Sequence, residues 1–218
     1  MNERISIVLP FREGYVSYLK KDMEAITVEP KVLSPEAYLE AERSGSREDY
    51  GKFEYHNGEL IEMGGATKEH NRVSSNLSGL LWQSLINTSY EVFHSDMRTY
   101  SPSTNSYFYP DLVVSQGEAQ FKDDEFDNLV NPALVIEILS KSTSAKDRGV
   151  KFAGYRSIDT LQEYLLVASQ QKQIEYYQRQ QQNEWKLIIF QQDADELSLL
   201  DDQVKLKLGD IYRNVLVR

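Results

Sequence analysis

The segment ALVIEILS, Ala133 to Ser140, constrains this chain more than any other stretch. Six of its eight residues are apolar and several are β-branched, which suits a strand running through the middle of a sheet with both faces covered. Glu137 interrupts it. An ionised carboxylate taken out of water costs several kcal/mol unless something pairs with it, and burial drives a glutamate pKa upward. Whatever fold this strand belongs to must therefore supply Glu137 with a partner.

Asp111 is a second acid of the same kind. In YPDLVVS, Tyr109 to Ser115, it stands immediately before an apolar run in another expected central strand. Two acids entering a sheet core on neighbouring strands suggest a shared divalent cation, because coordination replaces their mutual repulsion. Mg²⁺ commonly takes one or two carboxylates and fills its octahedron with water and substrate phosphate. The structural alternative is that Asp111 caps the turn after Pro110 while Glu137 pairs with an arginine such as Arg98.

The remaining sequence places these strands in an α+β chain. Residues 1–32 show no clear period and read as an N-terminal arm, and residues 33–218 read as one domain. Ser34 and Pro35 suit the N-cap and first position of a helix. Gly45 to Gly51 is a polar loop, and Asn57-Gly58 within KFEYHNGELIEM is the residue pair that a two-residue type I′ hairpin requires. Thr67 opens a second helix, in which Val73, Leu77, Leu80, Leu81 and Leu85 make one buried stripe. Tyr90 to Tyr100 and Tyr107 to Ser115 read as two strands joined by SPSTN, and Ser115 to Asn131 as a long, acidic, mobile loop. After ALVIEILS come capping candidates Ser142, Thr143 and Ser144, a helix of about three turns ending near Ser157, the buried strand EYLLVAS, and a C-terminal β-meander.

Pro110-Asp111 followed by Glu137-Ile138-Leu139 resembles the Pro-Asp…(Asp/Glu)-x-Lys layout of the PD-(D/E)XK nucleases. The fuller series LSPEAYLEAE, FEYHNGELIEM, His70 opening a helix, YFYPDLVVS, PALVIEILSKST, DRGVKFAGY and LQEYLLVAS resembles the Uma-two family of restriction-endonuclease-like proteins, over roughly Val32 to Tyr212. The resemblance implies a restriction-endonuclease-like core, a mixed central β-sheet flanked by helices. It implies a metal-dependent endonuclease acting on DNA, with Asp111, Glu137 and the carbonyl of Ile138 binding Mg²⁺ or Mn²⁺. Leu139 stands where the parent pattern has its lysine. The Uma-two pattern takes that lysine from the following helix, where Lys151 matches; Lys141, near the strand's end, is the alternative donor. Asp147, Lys151, Tyr155 and Ile158 recur at helical intervals, so Lys151 shares a face with inward-packing residues; an exposed Asp147–Lys151 pair is the plainer reading.

Further candidates each have a structural reading beside the functional one. Glu59 matches an acidic position in the family's hairpin, or is a solvent-facing glutamate. His70 contacts phosphate or a metal's water, or belongs to a helix cap or the surface. Arg98 binds phosphate or neutralises Glu137. Tyr107, Tyr109 and Tyr155 are expected to pack rather than stack on bases. Lys and Arg number 24 against 34 Asp and Glu, and the resulting net charge of −10 counts against bulk electrostatic attraction to nucleic acid. A locally positive cleft is then needed, and Lys141 to Arg156 with Lys68, Arg72 and Arg98 are its candidates. Binding through such a cleft is steeply salt-dependent. By analogy with restriction enzymes, a homodimer is expected. The absence of cysteine fits a cytoplasmic protein, and no apolar run suggests a membrane span or signal peptide. A reading from another class is a catalytically inactive nuclease-fold scaffold that binds nucleic acid or protein.

Overall fold

Pro110 divides what the sequence presents as one strand. In the computed structural model, which describes residues 33–44, 52–140 and 143–217, the segment Tyr107 to Ser115 separates into β5 (Ser106–Phe108) and β6 (Leu112–Gln116). Proline has no N–H for a ladder, and the Tyr109 N–H donates to the Glu54 carboxylate instead. The two halves enter different sheets. Tyr90 to Tyr100 divides likewise into β3 (Tyr90–His94) and β4 (Arg98–Ser101). Here a turn closed by Met97 N–H to the His94 carbonyl breaks the run, and the Lys52 ammonium grips its Ser95 carbonyl and Asp96 carboxylate.

The larger sheet has six strands in the order β11-β10-β9-β8-β6-β3. Here β8 is Pro132–Leu139, β9 Glu163–Ala168, β10 Ile174–Gln181 and β11 Glu184–Phe190. Only the β8–β9 pairing is parallel among its described ladders; a parallel pair needs a crossover, and the helical segment after β8 provides it. The second sheet has five strands in the order β2-β1-β5-β4-β7, with β1 Phe53–His56, β2 Glu59–Glu62 and β7 Asn128–Leu129. The expected meander, QIEYYQRQ and EWKLIIFQ, forms as β10 and β11 and extends the large sheet, and β12 (Glu196–Leu199) and β13 (Val204–Lys207) add a hairpin of their own.

Local signals set the helix starts. Ser34 caps α1 (Pro35–Arg43) by accepting from Ala37 N–H, and Thr67 caps α2 (Lys68–Leu85) by accepting from His70 N–H. Val73, Leu77, Leu81 and Leu85 of α2 are buried against Leu112, Val114, Leu134, Ile136 and Ile138, with Leu80 at the margin. The other face of the large sheet carries Val113, Val135 and Leu139 with Tyr155, Ile158 and Tyr164. Because side chains alternate along a strand, Glu137 shares this second face. Asn57 and Gly58 both have positive φ, at 46° and 101°, in the β1–β2 turn.

The loop expected to be mobile is anchored. Arg43 binds both Asp123 and Asp127, Asn131 accepts from Gln120 N–H, and β7 pairs in parallel with β4. Residues Leu33–Arg218 form one compact unit. The arm of residues 1–32, the loop Gly45 to Gly51, the donor candidate Lys141 and the cap candidate Ser142 lie outside the described residues.

Candidate active site

The crossover after β8 begins as α3 (Ser144–Lys146), widens into a π-helical turn (Asp147–Lys151) and closes as α4 (Phe152–Tyr155). Its N-cap, Thr143, makes no side-chain cap to the helix; its hydroxyl pairs with Ser140 and holds the Asp147 carboxylate. A π turn bonds residues five apart and so brings residues four apart into closer register. Asp147 and Lys151 consequently both point inward, and both are buried. Gly154 sets the depth: a Cβ there would lie 2.6 Å from Phe108 Cε2, so only glycine lets the helix seat this closely on β5.

Seated in this way, the helix carries Lys151 to the buried acid that opened the question. Lys151 Nζ lies 2.7 Å from Glu137 Oε1, 2.8 Å from Glu54 Oε1 and 3.6 Å from Asp147 Oδ1. Tyr155 donates its hydroxyl to Glu137 Oε1 at 3.0 Å. Lys151 is therefore a buried ammonium shared among three carboxylates rather than half of an exposed pair.

Asp111 borders this cluster where β6 begins. Its Oδ2 accepts the Ile138 N–H at 2.6 Å, and its Oδ1 lies 2.9 Å from His70 Nε2. His70, held at the start of α2 by the Thr67 cap, also bonds the Ile138 backbone. It thus touches two of the three groups that the sequence nominated as metal donors.

The charges explain the protonation states. Burial raises the Glu137 pKa, Lys151 pulls it down, and Asp147, Asp111 and Glu54 push it up again; the balance lies well above the ordinary carboxylate value. Burial also raises Asp147, against the opposing effects of Lys151 and Thr143. Burial disfavours the Lys151 ammonium, yet Glu137, Glu54 and Asp147 together hold its pKa above the ordinary value, so it stays charged. For His70, burial opposes the charged ring, but Asp111 outweighs it and the pKa is raised. Three carboxylates share the one Lys151 ammonium, an excess of acidic groups that a retained proton or another cation balances.

That excess of negative charge is the feature that fits a hard divalent ion. The two oxygen-rich groups are Asp111 and Glu137, whose Oε2 shows no hydrogen bond among the described residues, and the Ile138 carbonyl adjoins them. Among the described residues, no three His, Asp or Glu side chains converge on one ion position. A cation here would draw on two carboxylates, a carbonyl and water, a set that Mg²⁺ accepts.

The other candidates lie elsewhere or act differently. Glu59 is exposed beside the hairpin turn, paired in register with His56. Arg98 does not reach Glu137: it is buried against Asp127 and Glu42, and over the Tyr109 ring. Tyr107, Tyr109 and Tyr155 are core residues. Glu54 is the participant that sequence reasoning passed over. Its signal was present, since it lies between Phe53 and Tyr55 in a strand much as Glu137 lies between isoleucines.

Comparison with known proteins gives concordant results. The Uma2 family, described as "Putative restriction endonuclease", matches residues 35–208. An uncharacterized protein of Synechocystis sp. is 39% identical over 157 residues, covering 72% of this chain and 86% of its own length. A second from the same organism is 37% identical over 183 residues, covering 84% and 93%. A crystal structure described as a putative nuclease belonging to DUF820, from Anabaena variabilis, superposes with a TM-score of 0.64 at 16% identity, covering 75% of this chain and 91% of that one. This last likeness shows that the two chains share a fold, a mixed α+β arrangement with mixed sheets.

Proposed function

The chain belongs to the Uma2 family, and we propose that it is a metal-dependent endodeoxyribonuclease whose site is the cluster around Glu137. The observation that carries this reading is the 2.7 Å contact of Lys151 with Glu137, which supplies from the crossover helix the cation missing at Leu139. Asp111, Glu137 and the Ile138 carbonyl would hold Mg²⁺ or Mn²⁺. Bound there, the ion would polarise the scissile phosphate and acidify an attacking water.

The chain's own groups divide the remaining work. Lys151 keeps its proton and presents a fixed positive charge, the kind of preorganised electrostatic stabilisation that contributes most where charge builds on phosphate oxygens. Glu54 and Asp147 position that ammonium, and Tyr155 fixes the rotamer of Glu137. His70 holds Asp111 from the solvent side. The product is a hydrolysed phosphodiester.

Cleavage of both strands of a duplex is served by two copies of the site, so a homodimer is the assembly proposed, and the cytoplasm its location. Among the described residues no helix is long and apolar enough to cross a membrane. The test is a panel of single-stranded, duplex and branched DNA with Mn²⁺, comparing wild type with Glu137→Gln. The expected result is cleavage by wild type that the variant loses. No cleavage of any substrate across metals and salt concentrations would leave the fold as a non-catalytic scaffold.

A further inference from the structure

Outside the catalytic cluster, the first turns of α2 and the chain near its C-terminal end enclose an open groove of about 590 Å³ lined by Lys68, Asn71, Arg72, Ser75, Asn76, Arg213 and Asn214. No acid lines it, although acids exceed bases by ten in the whole chain. Resting on the nuclease reading above, we propose that this groove is the track for the phosphodiester backbone of the DNA strand that enters the site.

The groove's walls are fixed to each other. Asn76 Nδ2 donates to the carbonyls of Ile211 and Arg213, each at 2.9 Å, and Arg72 Nη1 donates to the Asn214 carbonyl at 2.9 Å. Asn214 takes a left-handed conformation, φ 59°, which turns the chain back along α2. A groove held in this way needs little reordering to receive a strand, and reordering is a main cost of binding.

Its charges remain available. Six cations elsewhere are engaged in ion pairs: Arg43, Lys52, Arg98, Arg148, Lys151 and Lys172. Lys68 and Arg72 are exposed and form no ion pair among the described residues, and Arg213, paired with Asp210, remains largely solvent-facing. The side-chain amides of Asn71 and Asn214 are uncharged donors of the kind that commonly contact phosphate and sugar.

The groove begins in the first turn of α2, the same turn that carries His70, with the two on opposite sides of the helix. Lys68 stands two residues before His70, whose ring bonds Asp111. At 1.5 Å rise per residue, the stretch from 68 to 76 spans about 12 Å, enough for on the order of three successive phosphates of one strand. Arg98, which the sequence nominated for such a cleft, is removed from it by burial, and Arg213 joins instead.

The experiment measures duplex affinity by fluorescence anisotropy against salt concentration, using the full chain in EDTA. The variants are Lys68→Ala/Arg72→Ala/Arg213→Ala and, as a control of equal charge change, Lys186→Ala/Lys205→Ala/Lys207→Ala on exposed strand positions. The groove triple should lower the slope of log K against log salt by about three, near one per phosphate contact, with a matching loss of affinity; the control should not. Lys68→Ala alone, which breaks no ion pair or hydrogen bond seen here, should lower the slope by about one and guards against misfolding of the triple. Equal slopes for groove and control variants, or no duplex binding by wild type, would overturn the groove. Absent cleavage with the groove effect intact would instead remove the nuclease reading and leave the groove standing.

Discussion

Glu54 Oε1 lies 2.8 Å from Lys151 Nζ, and the same Glu54 oxygen accepts the Tyr109 N–H at 2.9 Å, one residue before Pro110. Through that one carboxylate, the hairpin strand β1, the break between the two sheets and the crossover helix are locked together at the point where Asp111 enters β6. The Lys151 ammonium therefore holds the junction of the fold.

Replacing Lys151 with methionine leaves Glu54, Glu137 and Asp147 buried without their cation. Loss of one partner of a buried charge cluster costs on the order of 3–5 kcal/mol, and urea unfolding at pH 7.5 should show a deficit of that size. The sign follows from Glu137 and Asp147, whose raised folded pKa values lose the lowering effect of Lys151. Groups with raised folded pKa values contribute stability that is present below the unfolded carboxylate pKa and lost as pH climbs. The deficit should therefore shrink toward pH 5. A deficit independent of pH would show that the acids are not the cause.

Gly154→Ala tests the seating of the helix. The added methyl meets the Phe108 ring, and overpacking of this sort costs about 1–3 kcal/mol. Because the same helix carries Lys151, DNA cleavage should fall more than stability does. A thermal melt and a cleavage assay that both match wild type would refute the tight-seating argument.

Metal binding is addressed by calorimetry with Mn²⁺ on wild type, Asp111→Ala and Glu137→Ala. Binding heat is expected in wild type and should vanish in both variants, since each removes one of the two carboxylates proposed to hold the ion. Identical heats in the three proteins would eliminate the site.

Glu163 gives a pH signature unconnected with catalysis. Burial raises its pKa from 4.5 to about 7, against the lowering effect of hydrogen bonds from Tyr176 and from Leu200 N–H. The folded state therefore binds this proton more tightly than the unfolded chain does. The associated stability is full below about pH 4.5 and is lost as pH rises through about 7, on the order of 3 kcal/mol in all. Glu163→Gln cannot titrate. Relative to wild type it should gain stability between pH 5 and pH 8, and denaturation midpoints that track wild type at every pH would contradict the assignment.

Much of this architecture was legible in local sequence. Ser34, Thr67 and Asn57-Gly58 act through hydrogen bonds and dihedral angles within three or four residues, so their helix starts and turn can be read directly. The stripe of α2 and the periodicity from Asp147 to Ile158 follow from the helix repeat. The breaks at Ser95–Met97 and Pro110 were harder to read, because each depends on a distant partner, Lys52 in one case and Glu54 in the other. Glu59 attracted attention for its place after the turn. Yet the pleat of β1, whose Tyr55 packs with Tyr38 and Tyr107, turns Glu54 toward the other side and into the site.

The sequence by itself determined that Glu137 would be buried, that Asp111 would stand at a strand entrance, and that Lys151 would share a helical face with Asp147, Tyr155 and Ile158, because burial pattern and helical phase are properties of short segments. Only the tertiary structure decided the partners: Lys151 bound to Glu54 as well as Glu137, Arg98 diverted to Asp127 and Glu42, and His70 resting on Asp111. These are contacts between segments far apart in the chain. Which charge meets which depends on how two sheets and a crossover pack, and no local pattern encodes that distance.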